Sequence, residues 1–248
     1  MANTLAVATL NVNGLQNKKK RKPFFAWIKT FNFDIVFLQE THCHTRKDVK
    51  KWSREWGPCK NSIWSTGSSN SKGVATLFKP HSNYDVINPI IDTNGRYIIF
   101  ELNIEEELYK VVNIYSPNDC YERVKFFHQL NTWIDVEKLN LVGGDFNYTL
   151  NLELDRSNCT SKSDVGQVDL KNIIYNKSLE DIFRRRFPED KVYSWSRGNK
   201  SSRLDYWLIS KSLDCQVEKV EYLACPYSDH DIAVMKINPT QIKHGPGT

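Results

Sequence analysis

The sequence predicts a single α/β domain with two stacked sheets, and three observations indicate this fold class. Strand-like and amphipathic helical segments alternate along the chain, as is typical of α/β proteins. Residues 139–142 form a short apolar run, which indicates a buried strand. Gly143 and Gly144 follow it, which suits a turn or a close ligand approach that leaves no room for a Cβ atom. The 248 residues, 40% of them hydrophobic, are enough for one such domain.

Four elements are predicted in the first quarter of the chain. Residues 4–11 alternate small and apolar side chains and are predicted to form a strand, as are residues 34–39. A helix is expected over 23–31, because Pro23 suits the first helical position and apolar residues then recur at helical spacing. Arg46–Trp56 is predicted to form a basic helix.

The remainder of the chain continues this alternation. Strands are predicted over residues 73–78, 97–103, 109–115, 192–195, 203–209, 216–223 and 231–237. Helices are predicted over 121–136 and from 167 to about 186. Two polar loops are expected between these elements, a long one over 147–166 and a basic hairpin loop over 196–202.

The predicted domain covers residues 1–237, and residues 238–248 are expected to form a linker or tail. That last segment carries two prolines and two glycines without periodicity, as expected if this is the first domain of a longer polypeptide. No apolar run approaches the length of a membrane span, and no secretory signal opens the chain. We therefore expect no membrane partner and a reducing intracellular compartment in which the six cysteines are free thiols.

Positive charge is concentrated in the first quarter of the sequence. The net charge is +5, yet residues 1–60 contain twelve Lys or Arg residues and four Asp or Glu residues. Residues 18–22 form an uninterrupted basic block. A polyanion partner is one interpretation, and an ordinary solvated surface is the other.

Polar residues end several predicted strands. Asn11, Glu40, Tyr115 and Asp145 each stand at a strand end, Asn147 stands two positions after Asp145, and the pair Asp229-His230 precedes the last strand. Each one alone fits an ordinary turn or a solvated strand end. In α/β sheets, however, ligands bind beyond the carboxyl ends of the strands. We therefore expect these side chains to converge on one site.

Six short motifs resemble those of the endonuclease/exonuclease/phosphatase superfamily. They are LNVNG at 10–14, LQETH at 38–42, VNIYSPN at 112–118, GDFN at 144–147, RLDY at 203–206 and SDH at 228–230. Together with LDRS at 154–157, they resemble in particular the apurinic-endonuclease-like domain of LINE-1/Tx1-like non-LTR retrotransposons. The resemblance covers about residues 4–237. It implies a four-layered α/β sandwich of two mixed β-sheets flanked by helices, with the site at one edge.

The resemblance also implies a divalent cation, normally Mg²⁺, with Mn²⁺ as a possible substitute. Glu40 would be its principal ligand and Asn11 would lie beside it, in keeping with the preference of hard cations for oxygen ligands. Asp145 would orient or deprotonate the attacking water, and Asn147 would hold phosphate or water. Tyr115 would donate a hydrogen bond to the scissile phosphate, although a core tyrosine is an equal alternative.

His230 is expected to pair with Asp205 and to stabilise charge on the reacting phosphate. A carboxylate beside an imidazole fixes its tautomer and favours its protonated form. Asp229 would orient its neighbours. The sequence leaves both His230 and Asp145 as candidates for the general base.

Seven further residues are predicted to contact DNA. The basic hairpin loop is expected to enter a minor groove and sense its width, and the N-terminal basic block is expected to track phosphates; an ordinary mobile hairpin is the alternative for the loop. The predicted contacts are Lys20, Arg156, Ser194, Arg197, Lys200, Arg203 and Ser228.

The function expected from the resemblance is a Mg²⁺-dependent DNA endonuclease that nicks one strand of a duplex. The 3′-hydroxyl that it leaves would prime reverse transcription of the element's RNA. The expected partners are double-stranded DNA and a reverse transcriptase domain in the same polypeptide, acting in the nucleus after synthesis in the cytoplasm. Three alternatives remain open: a cellular apurinic-site repair endonuclease, a small-molecule phosphatase, and a DNA-binding module without activity.

Overall fold

The computed structural model describes residues 4–157 and 167–239, which form two six-stranded sheets, a two-stranded hairpin and five α-helices. The strands are β1 (Leu5–Asn11), β2 (Ile35–Gln39), β3 (Ser62–Ser65), β4 (Val74–Phe78), β5 (Val86–Ile91), β6 (Tyr97–Ile104), β7 (Glu107–Tyr115), β8 (Leu139–Asp145), β9 (Leu179–Asp181), β10 (Trp195–Arg197), β11 (Lys200–Ser202), β12 (Asp205–Ser210), β13 (Val217–Leu223) and β14 (Ile232–Ile237). The helices are α1 (Lys18–Lys29), α2 (Arg46–Trp56), α3 (Cys120–Trp133), α4 (Gln167–Asn176) and α5 (Ile182–Arg186).

Both large sheets are mixed. The first has the strand order β13-β14-β1-β2-β4-β3, in which β1 and β2 are parallel and the other neighbours are antiparallel. The second has the order β5-β6-β7-β8-β12-β9, in which β7 and β8 are the parallel pair. The parallel pairs occupy the middle of each sheet, so their carboxyl ends lie at the centre of one edge of the sandwich.

Three hydrophobic cores hold the sheets and helices together. Val7, Phe37 and Trp207 belong to the core between the two sheets. A second core joins the outer face of the first sheet to α1 and α2, and a third joins the outer face of the second sheet to α3 and α4. The order helix, sheet, sheet, helix confirms the predicted four-layered α/β sandwich.

Helix α1 begins five residues earlier than expected. Asn17 caps it by accepting a hydrogen bond from the backbone N–H of Lys19, so the helix starts at Lys18. Pro23 therefore lies inside the helix, and its predicted place at the first helical position is wrong. Asn17 determines where the helix begins, because its side chain accepts a hydrogen bond from an otherwise unpaired N–H of the first turn. A proline side chain has no acceptor for such a bond.

The helix predicted from 167 to 186 is interrupted. It ends at Asn176, and β9 then pairs with β12 at the edge of the second sheet before α5 begins. Asp181 caps α5 by accepting from the backbone N–H of Arg184. Edge pairing with β12 therefore overrides the local helical pattern of this segment.

The basic loop predicted over 196–202 is a tight β-hairpin. In it β10 pairs with β11, and Gly198 turns with φ of +59°. The edge strands β3 and β5 were not predicted from the sequence, and α3 ends three residues earlier than expected. Residues 158–166 of the predicted long loop and residues 240–248 of the predicted tail lie outside the described part of the chain. Among the described helices, none has the length and apolarity to cross a membrane.

Candidate active site

Strand alternation turns one set of polar residues toward the space between the sheets. In β1, Val7 faces the central core and Leu10 faces the helices, so Asn11 shares the inward direction of Val7. In β8, Leu141 faces inward, and Asp145 therefore does so too. Each inward-facing series ends in a polar residue at the same edge of the sandwich.

The second sheet aligns three of the predicted residues in one row. Asp145 is the register partner of Tyr115 on β7 and of Asp205 on β12. Since directly opposed residues in neighbouring strands have adjacent side chains, the register alone brings the phenol and the two carboxylates together. Strand pairing thus brings together residues that are 30 to 90 positions apart in the sequence.

The two glycines before Asp145 serve packing rather than a turn or a ligand. A Cβ atom on Gly143 would lie 2.5 Å from the ring of Trp207. On Gly144, with φ of +146°, it would lie 2.0 Å from the carbonyl oxygen of Ile114. Without side chains at these two positions, β8 can approach both the Trp207 ring and the backbone of β7 closely. This close packing keeps Asp145 aligned with Tyr115 and Asp205.

Glu40 reaches the site through an unusual backbone conformation. It follows the inward-facing Gln39, so a continued strand would turn it toward the helices, but its φ of +49° redirects the side chain. Its Oε1 accepts hydrogen bonds from the Tyr115 hydroxyl at 2.6 Å and from Asn11 Nδ2 at 3.1 Å. His42 Nε2 lies 3.6 Å from Oε2. Burial would raise the pKa of Glu40, but these neighbours lower that pKa to about 2.

Asn11 links the two acidic groups across the sheets. Its Nδ2 donates to Glu40 Oε1 and, at 2.9 Å, to Asp145 Oδ2, while its Oδ1 accepts from the backbone N–H of Asn13. Asp145 Oδ1 accepts from the backbone N–H of Asn147 at 2.8 Å. Burial, followed by the charge of Asp205, raises the pKa of Asp145 above its usual range.

His230 is paired with Asp205, as predicted. The distance between His230 Nδ1 and Asp205 Oδ2 is 2.7 Å, and the Ser194 hydroxyl donates to the same oxygen at 2.7 Å. Burial would lower the pKa of His230, but the carboxylate of Asp205 raises it above the usual histidine value. The geometry therefore favours a protonated imidazole with its Nδ1–H directed at Asp205.

Six of the eight predicted catalytic and metal-binding residues line one cavity of about 350 Å³. The other two, Tyr115 and Asp205, lie behind this lining and contact Glu40 and His230. Asn147 and Asp229 contribute to the cavity wall, and Asn147 Nδ2 donates to the Ser116 carbonyl oxygen. The sequence analysis did not assign a role to four of the lining residues. The cavity is lined by Asn11, Asn13, Glu40, Asn118, Asp145, Asn147, Trp195, Arg197, Leu204, Asp229 and His230.

Two of the missed residues are asparagines inside motifs that the sequence does reveal. Asn13 follows Asn11 at a turn, and Asn118 ends the segment that contains Tyr115. Polar residues after a strand were the signal for both. Trp195 carried no such signal, because a tryptophan in a short strand-like run is ordinarily a core residue.

Asp229 and Ser228 tie the last loop to the first sheet. Asp229 accepts from Asn13 Nδ2 at 3.0 Å and from Trp195 Nε1 at 3.1 Å. The Ser228 hydroxyl donates to the Asn11 carbonyl oxygen at 2.6 Å. These contacts match the orienting role predicted for Asp229, and they give Ser228 an orienting contact rather than a free hydroxyl.

The predicted DNA contacts divide into exposed and internal groups. Arg197 and Lys200 are exposed on the β10–β11 hairpin, and half-buried Arg156 pairs with Ser202 at its base. Lys20 is half-buried, and its Nζ donates to the carbonyl oxygens of Val12 and Asn13. Lys20 thus holds the loop after β1.

Two of the predicted DNA contacts are wrong. Arg203 has 0% of its side chain exposed and binds the carboxylates of Asp155 and Asp181 inside the protein. Ser194 is also buried, and its hydroxyl is directed at Asp205. Both residues flank the exposed hairpin in the sequence, which is why they were expected at the surface. In the structure their side chains point into the protein, next to the start of β12.

The donor set of this cavity fits a divalent cation. Glu40 and Asp145 offer carboxylate oxygens on either side of Asn11, which is the ligand chemistry that Mg²⁺ prefers. Buried Asp205 Oδ1 has no hydrogen-bond partner, as expected for an acceptor that meets an ion or water. Carboxylate oxygens of Asp145 and Asp205 lie within 4.8 Å of each other and of a ring nitrogen of His230, but protonated His230 has no lone pair for a metal, so only the two carboxylates of this group could serve as ligands.

Comparison with known proteins identifies the class to which this fold and site belong. The model of the endonuclease/exonuclease/phosphatase family matches residues 8–230, and the chain belongs to that family. The fold agrees with this assignment: the catalytic domain of APE2 from Xenopus laevis superposes with a TM-score of 0.79 at 20% identity, covering 94% of this chain and 92% of that domain. An AP endonuclease from Archaeoglobus fulgidus gives 0.74 at 19% identity, covering 94% and 99%.

Two relatives are similar in sequence. An uncharacterized 149 kDa protein of transposon TX1 from Xenopus laevis is 29% identical over 242 residues, which is 94% of this chain but 18% of that protein. An exodeoxyribonuclease from Bacillus subtilis is 27% identical over 255 residues, covering 92% of this chain and 97% of the enzyme. The similarity to the transposon protein agrees with the resemblance found in the motifs.

Proposed function

We propose that this chain is a Mg²⁺-dependent DNA endonuclease that nicks one strand of a duplex and leaves a 3′-hydroxyl and a 5′-phosphate. The observation that carries the proposal is the convergence of Glu40, Asp145 and His230 on one polar cavity. The exposed Arg197 at the mouth of this cavity and Lys200 beside it on the hairpin supply positive charge for the DNA backbone.

The residues of the cavity divide the chemistry among them. A divalent cation held by Glu40 and its neighbours would neutralise charge on the scissile phosphate. Asp145, whose raised pKa makes it a better proton acceptor near neutral pH, takes a proton from the attacking water. The water oxygen bonds to phosphorus as the P–O3′ bond breaks, the departing O3′ takes a proton from solvent to become the 3′-hydroxyl, and Asp145 releases its proton to solvent. Protonated His230, held by Asp205, stabilises the charge on the phosphate oxygens.

We further propose that the nick primes reverse transcription in a non-LTR retrotransposon. The support is the similarity to the TX1 transposon protein, of whose length the chain spans 18%. A reverse transcriptase domain would then belong to the same polypeptide, and the protein would act on chromosomal DNA in the nucleus. The activity and partners of such a parent protein are part of this proposal.

Abasic-site repair is the second candidate function, and the fold shared with AP endonucleases favours it. Nicking of two 40-mer duplexes that differ in a single abasic site separates the two functions. We expect the intact duplex to be cut at its own preferred positions. A preference of several orders of magnitude for the abasic duplex would establish repair instead, and hydrolysis of small phosphate esters alone would establish a phosphatase.

The β10–β11 hairpin is expected to select the cleavage site. Replacing residues 197–200 by Asn-Gly shortens the hairpin while Ser196 still pairs with Ser201, because Asn-Gly suits a two-residue turn. Mapped cut positions on a plasmid should change, while the total nicking rate falls less than tenfold. The matched control, Arg197→Lys with Lys200→Arg, keeps length and charge and should retain the original positions. An unchanged map in the shortened variant would refute this role.

Tyr115→Phe is expected to weaken metal binding. The change removes the hydroxyl that donates to Glu40 but keeps the ring, and a hydrogen bond to a charged group contributes about 1.5–3 kcal/mol. The Mg²⁺ concentration for half-maximal nicking should therefore rise about ten- to a hundredfold, with the rate at saturating Mg²⁺ nearly unchanged. A lower saturated rate at an unchanged Mg²⁺ requirement would instead support the predicted contact of Tyr115 with the phosphate.

A further inference from the structure

The outer surfaces of α1 and α2 carry a dense set of positive charges that the cavity does not use. Eight basic side chains of these two helices are exposed: Lys18, Lys19, Lys22, Arg46, Lys47, Lys50, Lys51 and Arg54. The two acidic residues of the helices are already engaged. Asp48 forms the capping box of α2 with Thr45, and Glu55 is paired with the buried Arg21.

This charge arrangement opposes helix stability. Like charges recur four positions apart, where side chains are neighbours and repel each other. The pairs are Lys18–Lys22, Arg46–Lys50, Lys47–Lys51 and Lys50–Arg54. In addition, the first turn of α1 contains no acidic residue and several lysines, although the N-terminal end of a helix favours negative charge. A bound polyanion would relieve each of these repulsions.

A groove of about 350 Å³ runs between the two helices. It is lined by Lys22, Phe25, Ala26, Lys29 and Glu55. Lys51 lies near it as well, since the charges of Lys51 and Lys22 both contribute to the lowered pKa of Glu55. At the floor of the groove, Phe25 packs edge-on against the ring of Trp56 at a centroid distance of 5.7 Å.

The first turns of the two helices connect the catalytic edge of the sandwich to the groove, which lies further along both helices. Both helices begin just after strands that end at the active site, β1 and β2. The backbone N–H groups of Gly14 and Leu15, which precede α1, donate to the carbonyl oxygens of Glu40 and Thr41, which precede α2. A polyanion that leaves the cavity along these helices would therefore first meet the exposed basic residues of their first turns, among them Lys18 and Arg46, and then the groove.

We propose that this groove and its flanking lysines bind the phosphate backbone of a single-stranded nucleic acid. Packed helices have axes about 8–10 Å apart, so the surface groove along their line of contact is narrow. A single strand can lie in such a groove. A duplex has a persistence length of about 50 nm and would have to bend from the catalytic edge down the flank, whereas a single strand follows that path freely. The choice of nucleic acid as the polyanion rests on the proposed nuclease function.

The test measures binding of fluorescent 20-mers to the full chain in EDTA, so that cleavage plays no part. The variant Lys22→Gln, Lys47→Gln, Lys51→Gln, Arg54→Gln removes four exposed charges: that of Lys22, which lines the groove, and those of three basic residues of α2. The control variant removes four exposed charges from other elements: Lys125→Gln, Lys171→Gln, Lys191→Gln, Lys211→Gln. Single-stranded DNA, single-stranded RNA of the same sequence, and duplex DNA are compared over a range of salt concentrations.

The groove variant should bind single strands at least tenfold more weakly than the control variant. If all four side chains contact phosphates, the slope of log affinity against log salt should fall in magnitude by about 3. A loss for DNA, RNA or both supports the proposal, and the comparison identifies the strand. Equal losses in the two variants, no loss, or an equally large loss for duplex DNA would overturn it. If the wild-type protein does not cleave DNA but the groove variant still loses single-strand binding selectively, only the proposed nuclease function is refuted.

Discussion

Replacing Asp145 by asparagine should lower the nicking rate by about 10²- to 10⁴-fold, the usual contribution of a positioned acid or base. The amide keeps the shape of the carboxyl group and one of its oxygens, but it takes no proton from water. Asp145 is buried, and burial and the nearby Asp205 raise its pKa because they disfavour its charged form. The NH2 group of asparagine must face one of the two donors that Asp145 now accepts from, Asn11 Nδ2 and the Asn147 N–H, and the loss of that hydrogen bond offsets the gain from removing a disfavoured charge. The folded state should therefore stay intact, with a midpoint of thermal unfolding near that of the wild type.

The matched control for this variant is Asp190→Asn, which makes the same chemical change at an exposed position. Its nicking rate should equal that of the wild type within twofold. Single-turnover nicking at saturating Mg²⁺ measures all three proteins. A rate for Asp145→Asn within tenfold of the wild type would exclude Asp145 as the group that activates water.

Arg203→Met should lower the free energy of unfolding by about 3–5 kcal/mol, the usual cost of removing one partner of a buried ion pair. The Arg203 guanidinium donates to Asp155 at 2.8 and 3.1 Å and to Asp181 at 2.5 and 3.2 Å, with no exposed surface. Methionine fills much of the same volume. It carries no positive charge, however, so the negative charges of Asp155 and Asp181 lose the guanidinium that lies between them. Urea unfolding at pH 7 measures the difference.

The destabilisation by Arg203→Met should shrink as the pH falls below about 4, the usual pKa of an aspartate. Burial would raise the pKa of Asp155, but Arg203 holds it below its usual value, so the ion pair stabilises the wild type above that pH and loses its effect in acid. In the variant, burial still raises the pKa of Asp155 and only Arg184 and the Asn151 backbone N–H remain to lower it, so protonation of Asp155 removes part of the cost of its buried charge. Arg197→Met, exposed on the hairpin, should change the free energy of unfolding by less than about 0.5 kcal/mol. An equally small effect for Arg203→Met would contradict the ion-pair account.

Strand periodicity and strand ends made most of the fold and site predictable. Asn11, Tyr115 and Asp145 end strands whose apolar residues alternate, so their common direction follows from the sequence once the strands are known. The confirmed four-layered architecture came from the resemblance in the motifs. The predicted roles of the individual residues stay predictions until variants are measured.

Other features depend on tertiary structure that the sequence does not display. The positive φ of Glu40 decides which way its carboxylate points, and no local pattern announces it. Arg203 looks like a surface residue of a basic hairpin, because its two partners lie 48 and 22 positions away. The break after Asn176 arises from pairing with β12, which local helix propensity cannot reveal.

A supercoiled plasmid tests the central proposal most directly. With Mg²⁺, the protein should convert it to open circles before any linear form accumulates, and a DNA polymerase should extend the new ends without prior treatment because they carry 3′-hydroxyls. EDTA should abolish this conversion, and Asp145→Asn should slow it. Linear product from the first turnover, ends that a polymerase cannot extend, or cleavage that persists in EDTA would contradict a single metal-assisted strand cut in this cavity.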